Sequence, residues 1–306
     1  MWLTTFIASL ALFNKEINMN NTILIYGLTI LVSILLIAMS IYLVKTHQCN
    51  ALRSQQITGF NIVTRLRELL SHVQQHRGIS NALLNGDVSL TSRLRPLTLK
   101  VSDSIDGINK EFKVGDVDEQ LQPLPRWESI TEHWSRLSIK TNQLTSANNL
   151  QQHNKLILNI LYFIDDIAEQ HQIYKIVDAQ GEAMRHMWLE LLFTAENIGQ
   201  IRAIGTGVAA ANTCTSVERI RLNYLCHSLQ QSLDDGLMLA NSEQIRQLLH
   251  VVAQQVTIDV PSIKAEEFFN LASTCVEQIL QEFDKQLQQF EQQIMPENER
   301  RIVVSH

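Results

Sequence analysis

Residues 23–44 read ILIYGLTILVSILLIAMSIYLV, a run of 22 without one charged side chain. About 20 apolar residues in a helix cover the hydrocarbon core of a bilayer, and in lipid the backbone must satisfy its own hydrogen bonds. The run is therefore expected to be one helix that crosses a membrane. A signal-peptide core is the weaker alternative, since such a region spans about 7–15 residues and ends at a small-residue cleavage site. The earlier apolar stretch, Trp2 to Phe13, is too short to span, and Met19 is an alternative start just ahead of the run. Lys45 and Arg53 follow the run and only Lys15 precedes it, so the positive-inside bias puts the C-terminal body in the cytoplasm. No second run of spanning length follows, and the rest is expected to be a soluble body on one anchor.

That body is poor in the residues that break helices. The whole chain of 306 residues has 11 Gly and 5 Pro, against a usual level of roughly 7% and 5%. Leu, Ile, Gln, Glu and Ala fill the difference, and all are compatible with long helices. Helices are expected at 55–84, continuous with the apolar run and ending at Asn85-Gly86-Asp87; at 89–113, with Pro96 in its first turn or at a break; and at 127–148. Further helices are expected at 150–179, 182–211, 216–240 (capped by Ser216), 242–256, and from Ser262 past Phe290 to Pro296. Between 114 and 126, Gly115, Pro123 and Pro125 mark a loop. The fold class is all-α: one N-terminal transmembrane helix, then about eight long helices packed as two four-helix bundles. The expected domains are an N-terminal segment 1–22, the transmembrane helix 23–44, a juxtamembrane linker 45–57, an all-helical domain 58–294 and a flexible tail 295–306.

Several chemistries find no support. A formal charge of −6 with scattered Lys and Arg offers nucleic acid no footprint. There is no phosphate loop, HExxH or nucleophile elbow, so no enzyme and no cofactor is expected. Cys49, Cys214, Cys226 and Cys275 form no CxxC pair and read as small hydrophobes. His72 and His76 have a metal-compatible i, i+4 spacing but no third ligand near. Asp165 and Asp166 diverge on a helix, so at most one faces inward.

Two arginines do not fit their surroundings. At helical spacing Val63, Leu66, Leu70, Val73, Arg77, Ser80 and Leu84 share a face, with Arg77 alone in an apolar stripe and Gly78 after it. Met184, Trp188, Leu191, Ala195, Ile198, Arg202, Gly205 and Ala209 form a second such face around Arg202, flanked by Gly199, Ala203 and Gly207. A guanidinium is always charged and only donates, so burying it without a partner is very costly. An internal salt bridge is one solution, with Glu196, Asp165 or Asp166 as the acid for Arg202. The other is a small planar oxyanion held between the two arginine forks. The glycines point to a helix or ligand approaching the backbone closely.

Three stretches carry a resemblance. Val73-Gln74-Gln75-His76-Arg77-Gly78-Ile79-Ser80 is similar to the "LQxERG-S" helix of the nitrate- and nitrite-sensing (NIT) domain family, an all-helical sensor found in bacterial signalling proteins. Ala195-Glu196-Asn197-Ile198-Gly199-Gln200-Ile201-Arg202-Ala203 is similar to its "KExxGxxRA" helix. Glu267-Phe268-Phe269-Asn270-Leu271-Ala272-Ser273-Thr274-Cys275-Val276-Glu277-Gln278-Ile279 resembles its "EWF-xxAT-xxID" helix. Three positions depart from the pattern: His76 stands where the family has an acid, Ala195 where it has lysine, and Phe268 where it has tryptophan.

The resemblance implies a sensor in the bacterial inner membrane, with nitrate or nitrite bound by Arg77 and Arg202. His76, Gly78 and Gly199 are additional candidates, and Arg219, Arg221 and Lys264 are further candidate cations that match no motif position. Signalling is expected to proceed by helix rearrangement to a separate downstream protein, since no output module follows the last helix, and the long first helix is a candidate homodimer seam. The alternative is a ligand-free helical scaffold or adaptor whose arginines close internal salt bridges.

Overall fold

A computed structural model describes residues 2–114, 125–177, 184–234 and 242–294. Among these the chain forms eight α-helices: α1 Trp2–Leu84, α2 Thr91–Val114, α3 Pro125–Lys140, α4 Ser146–Gln170, α5 Met184–Ala211, α6 Ser216–Asp234, α7 Ser242–Val251 and α8 Ala265–Ile294. Contacts divide the chain into residues 1–54 and 55–306. In the first unit α1 is helical throughout, and the apolar side chains from Tyr26 to Val44 are exposed.

The second unit is built on α5, which packs most extensively against α8 and also contacts α6 and α4. Residues 201–208 of α5 are all buried. So small a mean side chain (Ala203, Gly205, Thr206, Gly207) lets neighbouring helices close in. A Cβ on Gly205 would run into the Phe268 ring of α8, and one on Gly207 into the Asn81 amide of α1. The close-approach reading of these glycines therefore holds, and the approaching objects are helices. One continuous core runs from Phe60 through Leu70, Trp134, Ile160, Trp188 and Ile198 to Phe283.

Phe268 is fully buried, so its ring has nowhere to go. Gly205→Ala should therefore lose up to about 2 kcal/mol, the overpacking cost of about 1–3 kcal/mol offset by a helix-propensity gain of about 1 kcal/mol. Gly107→Ala is the control: its Cβ would approach only the flexible end of Arg65 at 3.3 Å. It should stabilise slightly, and urea midpoints of the two variants should move in opposite directions.

Helix ends differ from expectation where local chemistry outweighs periodicity. Thr215, not Ser216, caps α6: its hydroxyl accepts from the Glu218 amide at 3.3 Å, while the Glu218 carboxylate accepts from the Thr215 amide at 2.9 Å. This reciprocal capping box fixes the start. Ser262 does not cap α8, which begins at Ala265, with the Phe268 amide bonded to the Lys264 carbonyl. Pro125 opens α3 at the position where a missing N–H costs nothing. That helix stops at Lys140 rather than 148, because a 3-10 turn at Thr141–Gln143 leads into the Thr145 cap of α4. α4 ends at Gln170, before a left-handed Gln172 at φ 54°. The Asn85-Gly86-Asp87 turn is present, with Gly86 at φ +97°, and α2 runs through Pro96. Of the loop expected between 114 and 126, Val114 closes α2 and Pro125 and Arg126 open α3, while 115–124 lie outside the described residues, as do Gly181, the end of the 216–240 helix and the tail from 295.

Candidate functional site

From His76 to Ala82 every residue of α1 is buried, so this stretch is enclosed on all sides. The sequence His-Arg-Gly-Ile-Ser-Asn-Ala is too polar to be enclosed by hydrophobic contact alone, and each polar group needs a partner. Asn81 donates to the Ala203 carbonyl of α5 at 2.8 Å, and Ser80 and Asn149 exchange hydrogen bonds between α1 and α4. Arg77, with no exposed surface, turns its terminal fork onto Glu196 of α5: Nη1 donates to Oε1 at 2.6 Å and Nη2 to Oε2 at 3.1 Å. Nη1 also donates to Asn154 Oδ1 of α4 at 2.7 Å. Glu196 accepts two further bonds, from Gln74 and Gln200, both at 2.9 Å. Gly199 makes room for this pair, since a Cβ there would lie 2.8 Å from Arg77 Nη2.

Arg202 is buried on the other face of α5, and its arrangement is different. Nη1 donates to Ser273 Oγ of α8 at 2.8 Å, and the guanidinium lies over the Phe269 ring, 5.0 Å from its centroid. Nε and Nη2 are buried with no hydrogen-bond partner. These two nitrogens form one edge of the planar guanidinium, and their N–H bonds point side by side in the geometry that grips two oxygens of one planar anion. Gly78 keeps this edge accessible to α1; a Cβ there would lie 2.8 Å from Phe269 and 3.7 Å from Arg202 Nε. Burial, and after it the charge of Arg77, lower the Arg202 pKa to about 9, while Glu196 and Glu277 oppose the shift. Arg202 thus keeps its proton at neutral pH.

The charges of Arg77, Arg202 and Glu196 sum to one positive. A cavity of about 600 Å³ adjoins Arg202, lined among others by Ser71, Gln75, Arg93, Phe269 and Ser273. A second, of about 690 Å³, adjoins Glu196 on the opposite side and is lined by Asn154, Lys155, Gln200 and Arg221.

Beside Arg77 sits a buried imidazole pair. His76 Nδ1 and His153 Nε2 are 2.9 Å apart, and His153 Nδ1 is 2.9 Å from the Asn149 carbonyl. A carbonyl only accepts, so His153 carries its proton on Nδ1 and its Nε2 accepts the proton of His76 Nδ1. Trp134 closes the edge of His76. Burial pushes the His76 pKa down to about 4 and that of His153 well below its ordinary value. Both are neutral near pH 7.

Of the candidates read from sequence, Arg77, Gly78, Gly199 and Arg202 lie where α1 meets α5 and α8, while His76 faces Trp134 of α3 and His153 of α4. Arg219 does not join them; it binds Asp259 at 2.6 Å on the surface. Arg221 is exposed and lines the cavity beyond Glu196. Asp165 and Asp166 do not reach Arg202: Tyr174 donates to Asp165 and Arg126 pairs with Asp166, each at 2.6 Å. His72 and His76 diverge, His72 meeting Ser104 at 3.1 Å. Asn154 and His153 of α4 escaped the sequence reading, because nothing in the chain shows which helix lies beside His76. Ser273 and Phe269 fall inside the third motif stretch, which was the available signal for them.

The sequence profile of a family described as "Nitrate and nitrite sensing" matches residues 68–295, a span that holds all three motif stretches. No individual curated protein matches the sequence. Among solved structures, that of the NasR transcription antiterminator is similar in fold, with a TM-score of 0.54 at 14% identity over 81% of this chain and 74% of that one. With a family match over most of its length, in a segment that includes both buried arginines, this chain belongs to the nitrate- and nitrite-sensing domain family.

Proposed function

We propose that this protein is a membrane-anchored sensor in which a single nitrate or nitrite ion binds at the Arg202 edge, close to Arg77. The observation that carries this reading is the buried, unpartnered Nε/Nη2 edge of Arg202. A planar monoanion supplies two oxygens at the right spacing for that edge. Ser273 and Phe269 hold the guanidinium in place, Gly78 and Gly199 let α1 approach, and neutral His76 adds no competing charge. The ion ties α5 to α1 and α8, so occupancy biases their packing, which is the source of a signal.

In this reading residues 23–44 cross the bilayer: 22 residues at about 1.5 Å each match a hydrocarbon core of about 30 Å. Residues 45–57 link this span to the sensing domain, 58–294, whose eight helices work as two four-helix bundles in the cytoplasm. The signal passes to a separate protein or through a homodimer along α1. The Arg77–Glu196 pair favours one competing reading, a ligand-free scaffold whose buried arginines are structural.

The test is thermal melting of the full chain in detergent micelles with sodium nitrate, chloride or sulfate at matched ionic strength. At 100 times its Kd, nitrate should add about 2.7 kcal/mol, a rise of several degrees in Tm. Arg202→Lys keeps the charge but loses the fork, and the nitrate shift should vanish while the protein still folds. An equal shift from all three salts would leave the scaffold reading standing.

A further inference from the structure

The Arg77 fork already holds an anion that belongs to the chain. The Glu196 carboxylate presents two coplanar oxygens to Nη1 and Nη2, at 2.6 and 3.1 Å. A bound nitrate would present the same edge. Glu196 also acts at a distance, because its field reaches Arg202 as well as Arg77. An anion arriving at the unpartnered edge of Arg202 therefore meets repulsion from Glu196 before it gains anything from Arg77.

Glu196 is not walled in on its far side. It lines the 690 Å³ cavity together with Lys155 of α4 and Arg221 of α6. Among the described residues neither cation forms an ion pair, and both are exposed. A swing of the Glu196 side chain into this cavity would exchange a buried guanidinium for the two cations that line it. The carboxylate would then have two charge-matched positions, one facing α1 and one facing α6. That is the discrete pair of arrangements a switch requires.

We infer that Glu196 is a tethered competitor of the ligand: it occupies the Arg77 fork in the ligand-free protein and crosses to Arg221 and Lys155 when an oxyanion takes Arg77 and Arg202. The inference rests on the reading of that site as a nitrate or nitrite site. Two consequences follow from its chemistry. A tethered carboxylate competes at an effective concentration that reaches the millimolar range for short flexible tethers, so it sets the ligand level at which the sensor responds. A spherical anion cannot fill both N–H bonds of a fork as the carboxylate does, so the exchange favours planar oxyanions over chloride. The swing also releases Gln74 of α1 and Gln200 of α5, and adds a charged contact between α5 and α6 that reports occupancy on the outer face of the domain.

The experiment is isothermal titration of nitrate into the full chain in micelles, for wild type, Glu196→Gln and Arg221→Ala. Glu196→Gln keeps an acceptor oxygen on Arg77 but removes the charge, and should bind nitrate about tenfold more tightly, within the usual range of coupling between sites. Arg221→Ala removes a landing position and should weaken nitrate binding severalfold, with the ligand-free Tm unchanged. Equal or weaker binding by Glu196→Gln, while wild type binds nitrate, overturns this inference alone and makes Glu196 a positioning residue. If Glu196→Gln does not fold, Arg221→Ala decides: wild-type affinity in that variant overturns the inference. Failure of nitrate to bind the wild type overturns the site reading and this inference with it.

Discussion

Glu196→Ala should destabilise the protein by about 3–5 kcal/mol, the cost of leaving one member of a buried ion pair without the other. Arg77 has no exposed surface and would keep only Asn154 as a neutral partner. Removing both charges together should cost far less, since replacing a complete buried pair by neutral groups of similar volume is often close to neutral. In Arg77→Met/Glu196→Gln the new amide oxygen still accepts from one of Gln74 and Gln200, which bond separate oxygens of Glu196, so stability should return to within about 1–2 kcal/mol of wild type. Urea denaturation of the two variants measures this. A double variant no more stable than Glu196→Ala would show that the pair is not an energetic unit.

Acid should weaken the fold well before the carboxylates titrate. His76 has a folded pKa of about 4 against 6.5 in the unfolded chain. Between these values the unfolded state binds more protons than the folded one, so stability is complete above pH 6.5 and is lost as pH falls towards 4. At pH 5 the loss from His76 alone is about 2 kcal/mol. His153 titrates in the same direction for the same cause, burial, and a charge on either ring repels the other and Arg77. His76→Gln keeps an amide donor for His153 and removes the titration. The stability difference between pH 7 and pH 5 should shrink by about 2 kcal/mol in this variant. If it does not, the buried imidazole is not what makes the fold acid-sensitive.

Much of this was legible in the sequence because burial leaves a periodic trace. Val63, Leu66, Leu70 and Val73 prescribed a face, and the face made Arg77 conspicuous; the same reasoning exposed Arg202. The partners were less legible. Glu196 was considered for Arg202, six residues away, but that spacing turns the two side chains to different sides of α5, and the carboxylate meets α1 instead. Pairing between helices depends on which helices are neighbours, and periodicity is silent on that. His153, Asn154 and Ser273 became partners only once α4 and α8 were placed. Helix ends were misread where a cap or a left-handed residue competes with the hydrophobic pattern, as at Thr215 and Gln172.

The sealing of the Arg202 edge has a consequence for time rather than for affinity. Both its unpartnered nitrogens lie out of reach of solvent, under Phe269 and Ser273 of α8. On the proposed reading, an ion at this edge would enter and leave at the pace of helix motions rather than of collisions with the surface. A receptor gated in this way would average over brief fluctuations in its surroundings and answer to a sustained supply of the ion.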